Sequence, residues 1–241
     1  MNGGMQIFNP WNGAAEVAQV LKNTVSNNQR IWSLRWTPVC SSTEIGLTKW
    51  LIDKPLEDQT PRALLAARQN KAFGQHGRIW ESPRGGVWIS SAIPFSETYI
   101  SPALIGLSVA ATLSEKLEVN KVPVYIKWPN DLMVGDRKLL GILPRVISRG
   151  NKIRLIRVGV GLNVFNKVPK GAISLHEIIF ANKNTLAYWS AQVLVALDLA
   201  INKLNNPDWI IHQVERRLWS NQIIDSRNGE NWKIEKINLD G

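Results

Sequence analysis

Residues 122 to 165 contain four strand-like runs with almost nothing between them: VPVYIKW (122–128), DLMV (131–134), RKLLGIL (137–143) and NKIRLIRVGVGLNVF (151–165). The gaps are too short for a crossover helix, which favours a mostly antiparallel or mixed sheet over a regular βαβ alternation. Gly135-Asp136 is a two-residue hairpin signal between the second and third runs. Elsewhere the spacing predicts strands over 31–39, 62–69 and 85–95. It predicts helices over about 11–25, after Ser41, over 101–119 with Pro102 in the first turn, from Thr185 to Leu204 and from Asp208 to Trp219. Ser41 and Glu44 have the spacing of a capping box at the start of the second helix. This order predicts an α+β fold, a mixed and mostly antiparallel sheet backed by helices.

Period-two alternation assigns faces within the runs. Val122, Val124, Ile126 and Trp128 share one side, and Pro123, Tyr125 and Lys127 the other, so Lys127 leaves the sheet opposite its apolar face. Pro129 cannot donate to a ladder and ends the strand, while Asn130 and Asp131 are turn formers. A regular hairpin would pair Val134 with Arg137, Met133 with Lys138 and Asn130 with Gly141. In the last run Val158, Val160, Leu162 and Val164 oppose Gly159, Gly161 and Asn163. Two glycines on one strand face weaken the strand unless something packs close to the backbone. A flat ligand or another chain segment would do so; a bulge or tight strand packing is the commoner cause.

Composition narrows the function classes. The chain has 241 residues, enough for one full core, and no apolar run long enough to span a membrane. Its start lacks the basic and apolar regions of a secretory signal, which predicts a cytoplasmic protein with no membrane partner. The single cysteine, Cys40, excludes an internal disulfide, and His76, His176 and His212 are too dispersed for a local metal motif. The net charge of +10 favours anionic partners. Lysine and arginine are nevertheless scattered, and about thirty residues before the first strand are too few for a winged-helix DNA reader. No DNA partner is expected.

Several motifs in order then resemble the biotin protein ligase family: Lys127-Trp128-Pro129-Asn130-Asp131, the hairpin from Gly135 to Leu143, and Gly159-Val160-Gly161-Leu162-Asn163. Upstream, Ser42-Thr43-Glu44 is similar to the family's S-T-N element. Gln69, Gly74, Gly77, Arg78, Trp80, Ser82, Pro83, Gly85 and Gly86 fit its glycine- and arginine-rich loop. The likeness covers roughly residues 36 to 165 and implies the biotin/lipoate ligase catalytic fold, which is like that of class II aminoacyl-tRNA synthetases.

The resemblance implies ATP-dependent ligation of biotin to a lysine of a carrier protein through biotinyl-5′-AMP, with ATP and biotin as substrates and Mg²⁺ in attendance. The implied partner is the biotin carboxyl carrier protein of acetyl-CoA carboxylase or of a similar enzyme, and the resemblance leaves room for a homodimer. Lys127 and Arg78 become the catalytic candidates. Ser42, Thr43, Gln69, Lys127, Gly159 and Gly161 become the biotin set. Arg78, Trp80, Arg84, Asn130, Lys138 and Asn163 become the nucleotide set, and Asp131 the metal candidate. Three domain-level segments follow: a helical extension over 1–30, the catalytic domain over 31–206, and a C-terminal helix with a short barrel-like appendage over 207–241.

The loop AFGQHGRIW departs from the family pattern, with Phe73 and Gln75 standing where arginines are usual. Arg78 and Arg84 are left to supply its positive charge, and a slower first step or a leakier intermediate is the expected result. A lipoate-type ligase, a weakly catalytic biotin-binding protein and, without any reading motif, a nucleic-acid binder remain the alternatives.

Overall fold

The computed structural model describes residues 13–24, 30–96, 100–179, 185–225 and 228–241. Helix α1 covers Ala14–Thr24; the outer ends of the helix expected over 11–25, and most of the expected N-terminal extension, lie outside the described residues. Strand β1 (Ser33–Thr37) leads through α2 (Thr43–Asp53) to β2 (Arg62–Ala66), and the two strands pair in parallel. Only a helical crossover permits that pairing.

Every other ladder of the main sheet is antiparallel: β3 (Val87–Pro94), β4 (Tyr125–Lys127), β5 (Asp131–Val134), β6 (Arg137–Arg149) and β7 (Lys152–Leu162). The order across the seven-stranded sheet is β1-β2-β3-β7-β6-β5-β4. This is the mixed, mostly antiparallel α+β architecture expected from the sequence.

The sheet separates two unequal apolar layers. On one side Ile89, Leu132, Leu140, Ile156, Val158, Val160 and Leu162 pack into the main core with α3 (Pro102–Val119) and α4 (Leu186–Lys203). Both helices start where the sequence signals a start. Ser101 accepts from the Ala103 amide with Pro102 following, and Thr185 accepts from the Tyr188 amide. Between them, the Ser108 and Thr112 hydroxyls donate to carbonyls of Ala200 and Ala196. On the other face α2 covers only a small cluster of Leu47, Trp50, Leu64 and Ala92, which leaves the rest of that face open for a site. Helix α5 (Pro207–Glu215) leads to a segment that closes the outer strand: the Ile126 amide donates to Arg217 O at 2.7 Å, and the Trp219 amide to Ile126 O at 2.9 Å. The C-terminal residues form a two-stranded exposed antiparallel ribbon, β8 (Gln222–Ile224) and β9 (Asn231–Lys233). No described helix is long and apolar enough to cross a membrane.

Three local expectations need correction. The N-cap of α2 is Ser42, not Ser41, and its hydroxyl accepts from the Glu44 amide at 3.2 Å. Glu44 therefore sits one position too early to close a capping box, and its carboxylate reaches Arg157 on β7 instead, Oε2 to Nη2 2.9 Å.

The hairpin pairs Val134 with Arg137 and Met133 with Lys138 as expected, then slips. Leu132 faces Leu140 and Asp131 faces Gly141, so Leu139 is an extra residue, a bulge. Asn130 consequently pairs with Ile142, donating through Nδ2 to Ile142 O at 2.7 Å while its own carbonyl accepts from the Ile142 amide at 2.9 Å.

Trp128, placed on the apolar row by alternation, is 40% exposed because the strand ends at Lys127. Its indole N–H donates to Gly241 O at 3.0 Å.

Candidate active site

Directly opposed residues of neighbouring strands project to the same face. Following the ladders gives one row across the open face, Lys127-Asp131-Gly141-Gly161-Trp88, and a second, Leu143-Gly159-Ser90. A cavity of about 530 Å³ sits on these rows, within the range of small-molecule sites. Its walls are the N-terminal turn of α2 (Ser42, Thr43, Glu44), the loop from Ala72 to Glu81, and the segment from Pro169 to Ala172.

The closed end is a hydrogen-bonded polar cluster. Gln69 Oε1 accepts from the Thr43 amide at 2.6 Å and from the Thr43 hydroxyl at 3.0 Å, and Gln69 Nε2 donates to Ser82 Oγ at 3.0 Å. The Thr43 and Ser90 hydroxyls lie 2.8 Å apart. Cys40 bridges the backbone beside Gln69, and burial pushes its thiol up, so it stays a neutral SH.

The bare glycine face has a protein occupant. A Cβ on Gly161 would lie 2.6 Å from Trp80 Nε1, and one on Gly141 3.0 Å from the same ring. The indole lies on the sheet, edge-on to Trp88 at 76°. Gly161 therefore makes room for Trp80, and both Gly159 and Gly161 line the cavity.

Above the Trp80 ring, 4.8 Å from its centroid, stands the Lys138 ammonium, which also pairs with Asp131 Oδ1 at 2.7 Å. Lys138 is set here by its regular pairing with Met133, which puts its side chain on the open face. Its backbone groups point away from β5, the amide donating to Gly171 O and the carbonyl accepting from Ile173, knitting β6 to the rim segment.

Lys127 is elsewhere. It lies on the correct face but on the outermost strand, three strand spacings or about 14 Å from Gly161. A four-carbon stem cannot cross that distance. Its ammonium rests over Trp219, 5.1 Å from the ring centroid, and it does not line the cavity. Alternation predicts the face of a side chain but not how far its strand lies from the site; the cations that line the cavity are Arg78, Lys138 and Lys170, of which Lys138 stands on the sheet itself.

Arg78 lines the mouth from the loop, whose arms are joined by Gly74 N–Arg78 O and Trp80 N–Ala72 O hydrogen bonds of 2.8 and 3.0 Å. Its tip turns at His76 and Gly77, both at positive φ. Arg84 lies beyond the loop, exposed and away from the cavity. Phe73, standing where the family carries an arginine, packs its ring 5.6 Å from the Arg145 guanidinium.

Asn130 and Asn163 line the cavity, though both side-chain amides are engaged by the protein, Asn163 through Asn166 at 3.0 Å. Sequence reasoning missed Ser90, Lys170 and the role of Glu44. Ser90 was recoverable from the pairing of β3 with the glycine face; Lys170 carried no signal.

Mg²⁺ has a limited place here. No group of three or more metal-ligating side chains gathers among the described residues, and Asp131 is already paired with Lys138. Such a site suits an ion that arrives on nucleotide phosphates and takes one carboxylate at most.

Fold and cavity together define a ligand-binding α+β domain, with hydrogen-bonding groups at its closed end and cations toward its mouth. The model of the biotin/lipoate A/B protein ligase family matches residues 37–163, and the chain belongs to that family.

Among relatives, the bifunctional ligase/repressor BirA of Escherichia coli (strain K12) is 34% identical over 163 residues, covering 62% of this chain and 48% of that protein. The biotin–[acetyl-CoA-carboxylase] ligase of Paracoccus denitrificans is 27% identical over 113 residues, 46% of this chain and 47% of that one. The chain thus spans less than half the length of either. The structure of a mutant biotin protein ligase from Aquifex aeolicus in complex with biotin superposes with a TM-score of 0.68 at 23% identity, covering 86% of this chain and 88% of that one. At that identity the likeness speaks for the fold alone.

Proposed function

We propose that the protein joins biotin to a lysine of a carrier protein at the expense of ATP, with residues 31–206 as the catalytic unit. In the first step the biotin carboxylate attacks the α-phosphorus, the bond to the β-phosphate oxygen breaks, and pyrophosphate leaves. In the second, a lysine amine of the carrier attacks the acyl carbon of biotinyl-5′-AMP, and the amide forms as AMP departs.

The observation that carries this reading is a single cavity with a buried Thr43-Gln69-Ser90 cluster at one end and Lys138 toward the other. The cluster offers donors and acceptors to a cyclic urea. A dithiolane ring has no N–H or carbonyl to meet them, so a lipoate-type substrate fits less well.

Lys138 is assigned to the carboxylate and α-phosphate oxygens, where negative charge gathers in both steps. Its Asp131 partner and Trp80 hold it there, so little reorganisation is needed. Arg78, at the mouth, meets the phosphates; Asn130 and Asn163 shape the nucleotide side. Mg²⁺, when bound with ATP, neutralises phosphate charge. The basic surface suits an acidic carrier such as the biotin carboxyl carrier protein of acetyl-CoA carboxylase. A cytoplasmic setting, with ATP and the carrier both at hand, goes with that activity.

Incubation with ATP, Mg²⁺, biotin and an apo carrier domain, followed by an avidin blot, tests the proposal. A labelled carrier is expected with biotin and none with lipoate; pyrophosphate release without carrier labelling would favour a biotin-activating protein with another acceptor.

A further inference from the structure

We propose that Glu44 sets ligand specificity at the closed end: its Oε1 accepts an N–H from the bound ring, so the site takes a cationic cyclic guanidine as well as a cyclic urea. This rests on reading the cavity as a biotin site.

Glu44 is 6% exposed, yet it lines the cavity, at the foot of α2 and against the glycine face of β7. Its carboxylate is used unequally. Arg157 Nη2 donates at 2.9 Å both to Glu44 O and to Oε2, which anchors one oxygen and the helix turn together. Oε1 is buried and accepts no hydrogen bond among the described residues. It lies 3.6 Å from where a Cβ on Gly159 would be, and Glu44 and Gly159 both line the cavity, so the missing side chain of that glycine keeps the approach to Oε1 clear. The Arg157 contact explains Oε2 and leaves Oε1 unexplained.

A buried acceptor without a donor raises the free energy of the empty protein, and a ligand N–H arriving there recovers it. The other polar groups at this end are the Thr43 and Ser90 hydroxyls, the Gln69 amide and the Ser42 hydroxyl. They can meet the rest of a urea or guanidine, and none of them carries charge. The carboxylate is therefore the group that can distinguish a neutral ring from its guanidinium analogue, because a charge-assisted hydrogen bond is about twice as strong as a neutral one.

Calorimetric titration with biotin and with 2-iminobiotin tests this on the purified full chain. Wild-type protein should bind both. In Glu44→Gln the ratio of the 2-iminobiotin Kd to the biotin Kd should rise by at least about tenfold. Because Glu44→Gln leaves Arg157 without its anion, the Glu44→Gln/Arg157→Met double variant, with no buried charge at the pair, should show the same change in ratio. A purely structural carboxylate would lower the melting temperature and leave the ratio alone. If the variants bind biotin with a ratio within twofold of wild type, the inference is wrong while the proposed function stands. If wild-type protein binds neither compound, the biotin reading fails, and this inference with it.

Discussion

Replacing Lys138 and Lys127 in turn separates two cations that the sequence motif places within eleven residues of each other. Lys138→Met keeps the aliphatic stem against Trp80 and removes the charge. It frees Asp131, whose side chain is 20% exposed and stays hydrated, so the fold should survive. Losing one preorganised donor aimed at a developing oxyanion costs about 10²- to 10³-fold in rate, or ~3–4 kcal/mol. Among the described residues the Lys127 ammonium has an exposed contact with Trp219, of the kind worth ~0.5–1 kcal/mol. It does not line the cavity, so Lys127→Met is expected to change the rate by no more than about fivefold. Biotin-dependent pyrophosphate release under saturating ATP, read beside circular dichroism, measures both. Retained release in Lys138→Met together with loss in folded Lys127→Met would refute the assignment and return the role to the outer strand.

Three further outcomes follow from the packing. Gly161→Ala puts a Cβ 2.6 Å from Trp80 Nε1; the indole has to move, and a loss of ~1–3 kcal/mol in denaturant unfolding with weakened biotin binding is expected. Arg157→Met strands a carboxylate that is 7% exposed and should cost about 3–5 kcal/mol, most of which Glu44→Gln in the same chain should restore; urea midpoints decide it. The hydrogen bonds from Arg217, reinforced by its charge and that of Arg216 and opposed by partial burial, hold the Glu118 carboxyl below the usual carboxylate range. A depressed folded value means stability that is present above the unfolded carboxylate value of about 4.3 and lost as pH falls through the folded one. Glu118→Gln should therefore be less stable than wild type at neutral pH and converge with it in acid, as followed by urea titrations across pH.

The sequence made the hairpin turn, the apolar row from Val158 to Val164 and the starts of α3 and α4 legible, because each depends on residues close together in the chain. Where the rows meet in space was not legible. The bulge at Leu139 has no turn residue or glycine to mark it, and the rim segment that bonds the Lys138 backbone lies more than thirty residues away. The same bulge brings Asp131, not Asn130, opposite Gly141. Lys127 had the right face and the wrong strand, since periodicity says nothing of lateral order. Glu44 looked like a helix cap because its partner, Arg157, is 113 residues distant. The glycines signalled close approach correctly, and at Gly161 the group that approaches is a tryptophan from the loop.

That tryptophan ties recognition to cohesion. Trp80 is at once a side of the chamber and a slab wedged between sheet and lysine, so any substitution that reshapes the chamber there also loosens the domain. Lineages that acquire new substrates on this scaffold should accumulate changes at positions 43, 44 and 90 first and leave the indole in place.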